Sequence, residues 1–301
     1  MAFVRRIIFL VLLFPALIFF IAFLTAVGQE QENLPAVLVT SADFTVEYLG
    51  NLFHGHLGTA APRYPADPGT PLAGELARAL PRSIGLLGVS LVIAVLIGLP
   101  LGVAAGLRRK TRFSGALVFV SVLGISTPSY FAAMLLIWFN VWIYQRTGSD
   151  LIPVHGFGWD MHLILPALVL AARPTANVMR LGYNVLAEVL DADFVRTAHA
   201  KGLAPRVVLF RHVMRNVGVP LMTTIAVSLR FSLAVLPIVE YIFNWSGIGE
   251  GLLTAIQSQD ATATVAMILP LAVLFVFVNL LLELLYPLVD PRLRTKGSYG
   301  A

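Results

Sequence analysis

Few residues in this chain have the type and spacing to do chemistry. His54 and His56 form a His-x-His pair, and neutral imidazole is a common metal ligand. No third ligand stands near them in sequence, so they read as exposed loop histidines and no metal is assigned. Phosphate chemistry would need a Gly-rich loop closing in Gly-Lys-Ser/Thr, whose backbone N–H groups and Lys cradle a nucleotide. The lysines are Lys110, Lys201 and Lys296, and none follows a Gly. The sequence also lacks His-Glu-x-x-His, Gly-x-Ser-x-Gly and an acidic pair inside an apolar run. With no cysteine, disulfides, thiol catalysis and cysteine metal sites are excluded. The chain is therefore not expected to be an enzyme or to bind a cofactor of its own. What remains is positive charge: Arg173 and Arg230 inside apolar runs, and the basic stretch DFVRTAHAKGLAPRVVLFRHVMRN at 193–216.

The elements that must position these charges are apolar. Of 301 residues, 58% are hydrophobic and 12% charged, with a mean hydropathy of +0.84. A soluble domain carries roughly 25% charged residues. Uncharged apolar runs reach the ~20 residues that cross a bilayer as a helix. The expectation is an all-α polytopic membrane protein with six transmembrane helices, at about 7–27, 83–107, 120–145, 162–181, 217–239 and 261–283. The third run, from Phe113 to Tyr144, is longer than a bilayer requires, so a loop, kink or helix start is expected near Ser126-Thr127-Pro128-Ser129.

Lys and Arg are retained on the cytoplasmic side of membrane proteins. Of the 21 such residues, fifteen fall in one alternate set of connections and four (Arg63, Arg78, Arg82, Arg146) in the other. That asymmetry puts both termini and the 182–216 loop in the cytoplasm and the 28–80 segment outside. It also explains the formal net charge of +5 without nucleic acid. Arg5-Arg6 ahead of an apolar run resembles a signal peptide, but the run exceeds the 7–15 residues of a signal core and is read as a retained span. The 28–80 segment holds a helix-like piece, EYLGNLFHGHLGTA, then APRYPADPGTP, whose four prolines rule out a long regular element.

Charge at mid-bilayer costs about 2.5–3.5 kcal/mol and marks a polar pathway, an ion pair or a snorkelling side chain. Arg173 and Arg230 lie at similar depth in the fourth and fifth spans, as a possible translocation path or as partners of an acid elsewhere. The acid near those spans on the outer side, Glu240, is ten residues from Arg230, roughly 15 Å along a helix. Gly98, Gly102 and Gly106 recur every four residues and form a small-residue seam against which another helix can pack. In the basic stretch, Gly202-Leu203-Ala204-Pro205 breaks a helix predicted over 187–201, and Pro205 suits the first turn of a second running through His212. A helix–turn–helix with mixed apolar and basic surface, held at both ends by spans, is a docking surface for a cytosolic protein. A segment that only attracted anionic lipid would not need the break.

These residues resemble the dipeptide/oligopeptide branch of the binding-protein-dependent ABC importer permeases. The family's cytoplasmic loop has the pattern Glu-Ala-Ala, three residues, Gly. Here Arg196-Thr197-Ala198 and Gly202 keep that spacing, within RTAHAKGL, followed by Arg211-His212 and Pro220. Similar features are FVRRIIFL, the stretch from Tyr48-Leu49 to Leu57-Gly58, IGLPLGVAAG, Pro128-Ser129, Ile152-Pro153, Leu165-Pro166-Ala167 and FNWSGIGEGLL. Arg173 and the Pro-rich outer segment depart from the pattern.

The resemblance implies a heteromeric importer in the cytoplasmic (inner) membrane. Its parts would be this chain, a second homologous permease, two cytosolic ABC ATPase subunits or domains using ATP and Mg, and an extracytoplasmic solute-binding protein. It implies an ATPase coupling role for Arg196, Thr197, Ala198, Lys201, Gly202, Pro205, Arg211 and His212. Peptides are the family's most frequent cargo, and nickel chelates, glycosides and other solutes use similar permeases. The contrasting class is an ATP-independent channel or ion-coupled carrier.

Overall fold

The structure, a computed structural model, describes residues 2–29, 34–61, 69–149 and 152–289. Within its helices the side chains of residues 2–11, 29, 212, 215, 219 and 282–289 lie outside the description. The described residues are helical apart from turns and one isolated bridge, Thr59 to Pro71. In chain order the helices are α1 (Ala2–Gln29), α2 (Leu34–Phe53), α3 (Leu72–Leu107), α4 (Arg112–Ser126), α5 (Ser129–Thr147), α6 (Ile164–Asp191) and α7 (Asp193–Ala200), then α8 (Pro205–Val207), a π-helical segment (Val208–Val213), α9 (Met214–Phe243), α10 (Ile248–Gln257) and α11 (Ala261–Val289). Among the described residues four helices are long and apolar enough to cross a membrane: Leu72–Leu107, Met161–Asp191, Asn216–Phe243 and Ala261–Leu281. The bent pair α4 and α5 makes a fifth if counted as one span. The chain is thus an all-α polytopic membrane protein. Of the predicted first span, residues 7–11 lie outside the described side chains, and the described part, Leu12–Gly28, is apolar but shorter than a span.

The expected interruption of the third run falls between Ser126 and Ser129, where the chain turns by 105°. Pro128 lacks an N–H and disfavours helical backbone at the residue before it. Thr127 is accordingly extended, with φ −77° and ψ 121°, and its hydroxyl donates back to the Leu123 carbonyl at 2.7 Å. Other helix limits also have local causes. Thr111 caps α4 by accepting the Ser114 N–H at 3.3 Å, and Gly148 ends α5 in left-handed backbone.

Two compact units divide the chain, with boundaries inside α3 and α11. The first holds residues Met1–Ser83 and Ser246–Leu274. Its core joins Ile18 and Ile21 of α1, Tyr48 of α2, and Val265 and Leu269 of α11. Burial of Tyr48 pushes its phenol up to about 12. Asp260 accepts the Ala263 N–H at the start of α11 and the Ala61 N–H at 2.6 Å, which ties the outer segment to that helix end. The outer prolines Pro62, Pro65 and Pro68, with Arg63, lie outside the described residues, as do Arg292, Arg294 and Lys296.

The second unit holds Ile84–Trp245 and Phe275–Ala301. Its centre is α6, which buries a face running from Leu165 to Leu186 against α4, α5 and α9. Trp245, fully buried, meets Phe157 and Trp159 edge-on at 4.8 and 5.6 Å between ring centres. On α5, whose remaining surface is largely exposed and apolar, Asn140 is buried. Its amide donates to the Ile152 carbonyl at 2.9 Å and accepts the Ile152 N–H, so both polar ends are used.

Candidate functional site

The basic stretch is built differently from two short helices joined by a turn. Residues 187–191, predicted to open its first helix, are the end of α6. Ala192 then takes extended backbone (φ −68°, ψ 146°), and α7 begins at Asp193. The second helix does not stop near His212. It passes through the π-helical segment straight into α9, because no helix breaker stands between Pro205 and Pro220. His212 falls on that segment, and its side chain lies outside the described residues.

Gly202 closes α7 in left-handed backbone at φ 74°. Its N–H donates to the His199 carbonyl at 2.9 Å and the Leu203 N–H to the Ala198 carbonyl at 3.3 Å, the paired bonds of a Schellman stop. Ala204 is extended, and Pro205 opens α8 at its first turn, where a missing N–H costs nothing. The turn folds α7 back, so that Val195 and Ala198 are buried with Val208, Val213 and Val217 and with Leu186 of α6. Burying such side chains contributes about 1.5–3 kcal/mol for each large one.

The outer surface of this joint carries Arg196, Lys201, Arg206 and Arg211 among the exposed apolar side chains of Phe194, Leu203, Val207 and Phe210. Phe210 is 71% exposed. Arg196 approaches Asp193 at 3.6 Å, a largely exposed pair that adds little stability. Thr197 is exposed, and its hydroxyl donates back along α7 to the Asp193 carbonyl at 2.9 Å. Arg109, from the α3–α4 connection, donates to Asp191 at 2.6 Å and to the Ala187 carbonyl, tying that connection to the end of α6.

A model of the family described as "binding-protein-dependent transport system inner membrane component" matches residues 98–295, which include this joint. The chain belongs to that family. It is 31% identical over 281 residues to a probable peptide ABC transporter permease protein of Sinorhizobium fredii, covering 90% of this chain and 87% of the relative. It is 34% identical over 275 residues to the di/tripeptide transport system permease protein of Pseudomonas aeruginosa, covering 83% and 80%. To the oligopeptide transport system permease protein of Bacillus subtilis it is 32% identical over 253 residues, covering 82% and 79%. Among solved structures, a chain of the inward-facing MetNI methionine ABC transporter superposes with a TM-score of 0.58 at 16% identity, covering 73% of this chain and 98% of that one. That likeness concerns the fold alone. The chain is thus a multi-pass inner-membrane transport permease, and no catalytic role is part of the family description.

The two arginines of this permease occupy different surroundings. The Arg173 guanidinium lies 3.7 Å from the centre of the Phe231 ring, a cation–π contact joining α6 to α9. Its Nε is buried without a hydrogen-bond partner, as is that of Arg230. Arg173 lines a recess of about 10 Å³ with Ser129, Leu170 and Ser232 among others, enough for one water molecule and no solute. A larger cavity of about 470 Å³ lies elsewhere, among α4, α6 and α9. It is lined by Asn177, Arg180, Asn184, Thr223, Thr224 and Ser228 together with Ile125, Leu181 and Val227, and neither Arg173 nor Arg230 reaches it. Asn177, Arg180 and Asn184 follow helical spacing along one side of α6. That spacing was the sequence signal for this polar face, missed because Asn177 falls within an apolar span and Arg180 counts with the basic connection that follows it.

Along α3, a Cβ placed on Gly98 would stand 2.7 Å from the Thr175 carbonyl oxygen, and one on Gly102 2.7 Å from that of Met179. On Gly106 it would meet the Leu186 side chain at 2.8 Å. α3 and α6 approach closely enough there that only hydrogen fits. His54 and His56 are exposed on the turn after α2, with the His54 ring 2.7 Å from the Gly50 carbonyl. Among the described residues no group of three metal-binding side chains forms.

Proposed function

We propose that this chain is the permease subunit of an ATP-binding-cassette importer for peptide-type solutes, working beside a homologous permease. The carrying observation is likeness along 82–90% of the chain to permeases whose names specify peptide, oligopeptide and di/tripeptide transport. In this reading α1 is a sixth span, both termini are cytoplasmic, and the 182–216 loop faces the cytosol as a coupling element. Two ABC ATPases, which use ATP and Mg, dock on it, and a solute-binding protein delivers cargo from outside. The sequence has no phosphate-binding loop, so the energy enters through another subunit.

The basic and apolar side chains around Arg196, Lys201, Arg206 and Arg211 give the joint both charge and contact area for such a partner. The buried valines behind them fix its shape. ATP-driven closure of the ATPases would move α7 and the foot of α9 together, and the permease pair would alternate between inward- and outward-facing states. Gly98, Gly102 and Gly106 hold α3 to α6 during this motion. Arg173 and Arg230, which do not line the 470 Å³ cavity, would border another part of the translocation path.

The deciding experiment is reconstitution in liposomes of this chain with its partner permease, the ATPases and the binding protein, with labelled peptide outside. Uptake is expected only when the binding protein and ATP are both supplied. Flux through this chain alone, without an ATPase, overturns the importer reading in favour of a channel or ion-coupled carrier.

A further inference from the structure

The cavity of about 470 Å³ among α4, α6 and α9 is a cleft open on the side where Arg180, Asn184 and Thr223 are exposed, and its size is within the roughly 300–1,000 Å³ of small-molecule sites. Its polar side chains are two amides, hydroxyls and one guanidinium, with no carboxylate among the lining residues. The charge of Arg180 is therefore uncompensated by the cavity's own walls. Ser228 adds an independent sign: it is 1% exposed, it lines the cavity, and its hydroxyl has no hydrogen-bond partner. Hydrogen-bonding groups buried in a protein are nearly always satisfied, and one left open beside a cavity is waiting for a ligand or water.

We propose that this cavity is a transit site that reads the peptide itself, with Arg180 receiving its terminal carboxylate. The inference rests on the importer reading above. The guanidinium presents two parallel N–H donors that match a carboxylate. Asn177 and Asn184 each offer one donor group and one acceptor, the complement of a peptide unit whatever side chain it bears. Seven residues of helix separate them, roughly 10 Å. Three residues of extended chain cover about the same length. On the facing helix, Thr224 and Ser228 stand one turn apart: the Thr224 hydroxyl donates to the Pro220 carbonyl at 3.2 Å and can accept, while that of Ser228 can donate or accept. The site therefore selects on backbone and terminus, leaving side-chain identity free.

The test compares two peptides of one sequence, a free acid and its C-terminal amide, in the complete reconstituted importer. Binding-protein affinity for each is measured separately, so that its preference can be divided out. Arg180→Gln is expected to lower the corrected acid-to-amide uptake ratio about tenfold, the scale of a lost charge-assisted hydrogen bond. Arg180→Lys, which keeps the charge, should restore part of it. An unchanged ratio, with both peptides slowed equally, overturns the site and leaves the importer reading standing. A wild-type complex that carries neither peptide overturns the peptide reading and this inference with it.

The lack of cysteine in the chain gives a second measurement that keeps Arg180 in place. Thr224→Cys, in a complex otherwise free of reactive thiols, is labelled with a maleimide during turnover. The acid peptide should slow labelling more than the amide does, and equal labelling rates overturn the proposal.

Discussion

Gly202 holds the two arms of the basic joint together at φ 74°, and a Cβ there would meet nothing within 4 Å. Any cost of substitution is thus conformational, about 1–2 kcal/mol for an ordinary L residue in left-handed backbone. Asn tolerates that region, whereas β-branched residues resist it. Gly202→Asn should keep most uptake at matched expression. Gly202→Val should lose uptake while ATP hydrolysis continues. Equal uptake by both variants would remove the joint's shape from the mechanism. Asp160, on the turn before α6, accepts hydrogen bonds from the backbone N–H and the ring of His162, which hold its carboxyl below the usual range. A carboxyl lowered by folding contributes stability above the unfolded value, near 3.9, and loses it as pH falls through the folded value. Proteolysis of the 152–163 loop should therefore quicken below about pH 4. Asp160→Asn, which keeps an acceptor oxygen, should flatten that dependence. Pro128, Gly202 and Pro205 were legible in the sequence because their effect is local to the backbone. Arg180 was not, since its place on a cavity wall depends on α4 and α9.

At the scale of elements, α3 and α6 are matched by the absence of side-chain atoms. The atoms nearest a Cβ on Gly102 belong to backbone, at Met179 and Gly182, and cannot rotate aside. Gly102→Ala should lower detergent-solubilised stability by about 1–3 kcal/mol, the range for overpacking. Gly88, on the same helix with open space around it, provides the control. Gly88→Ala should be neutral or stabilising by about 0.5–1 kcal/mol, because alanine loses less backbone freedom in a helix. Similar losses in melting temperature for the two variants would deny the seam. The four-residue glycine spacing announced a close approach, but which helix answers it is a long-range fact carried by Thr175, Val178 and Leu186. Helix length was hidden for another reason. A hydropathy search fades beyond Leu181, where Asn184, Glu188 and Asp191 thin out the apolar residues, whereas the hydrogen-bond ladder of α6 continues until Ala192 becomes extended.

For the whole molecule, the 105° turn between α4 and α5 admits two paths through a bilayer, a broken span or a re-entrant loop. Counting Lys and Arg favours the broken span with Thr111 inside and Ser149 outside. Single cysteines at those positions should react with impermeant maleimides from opposite faces of the membrane, and reaction from one face would make the pair re-entrant. The broad plan, apolar helices crossing a membrane, followed from the apolar runs, each a sum over many residues. The cavity did not, because it belongs to three helices at once. Residues 205–243, finally, are helical without interruption. Between Phe210 and Ser228, about 27 Å along, the weak point is Pro220, which cannot donate to the helix ladder. In the proposed importer the foot of this stretch and the cavity wall are two ends of one rod jointed at Pro220, and the give of that joint sets how much of a push reaches the wall.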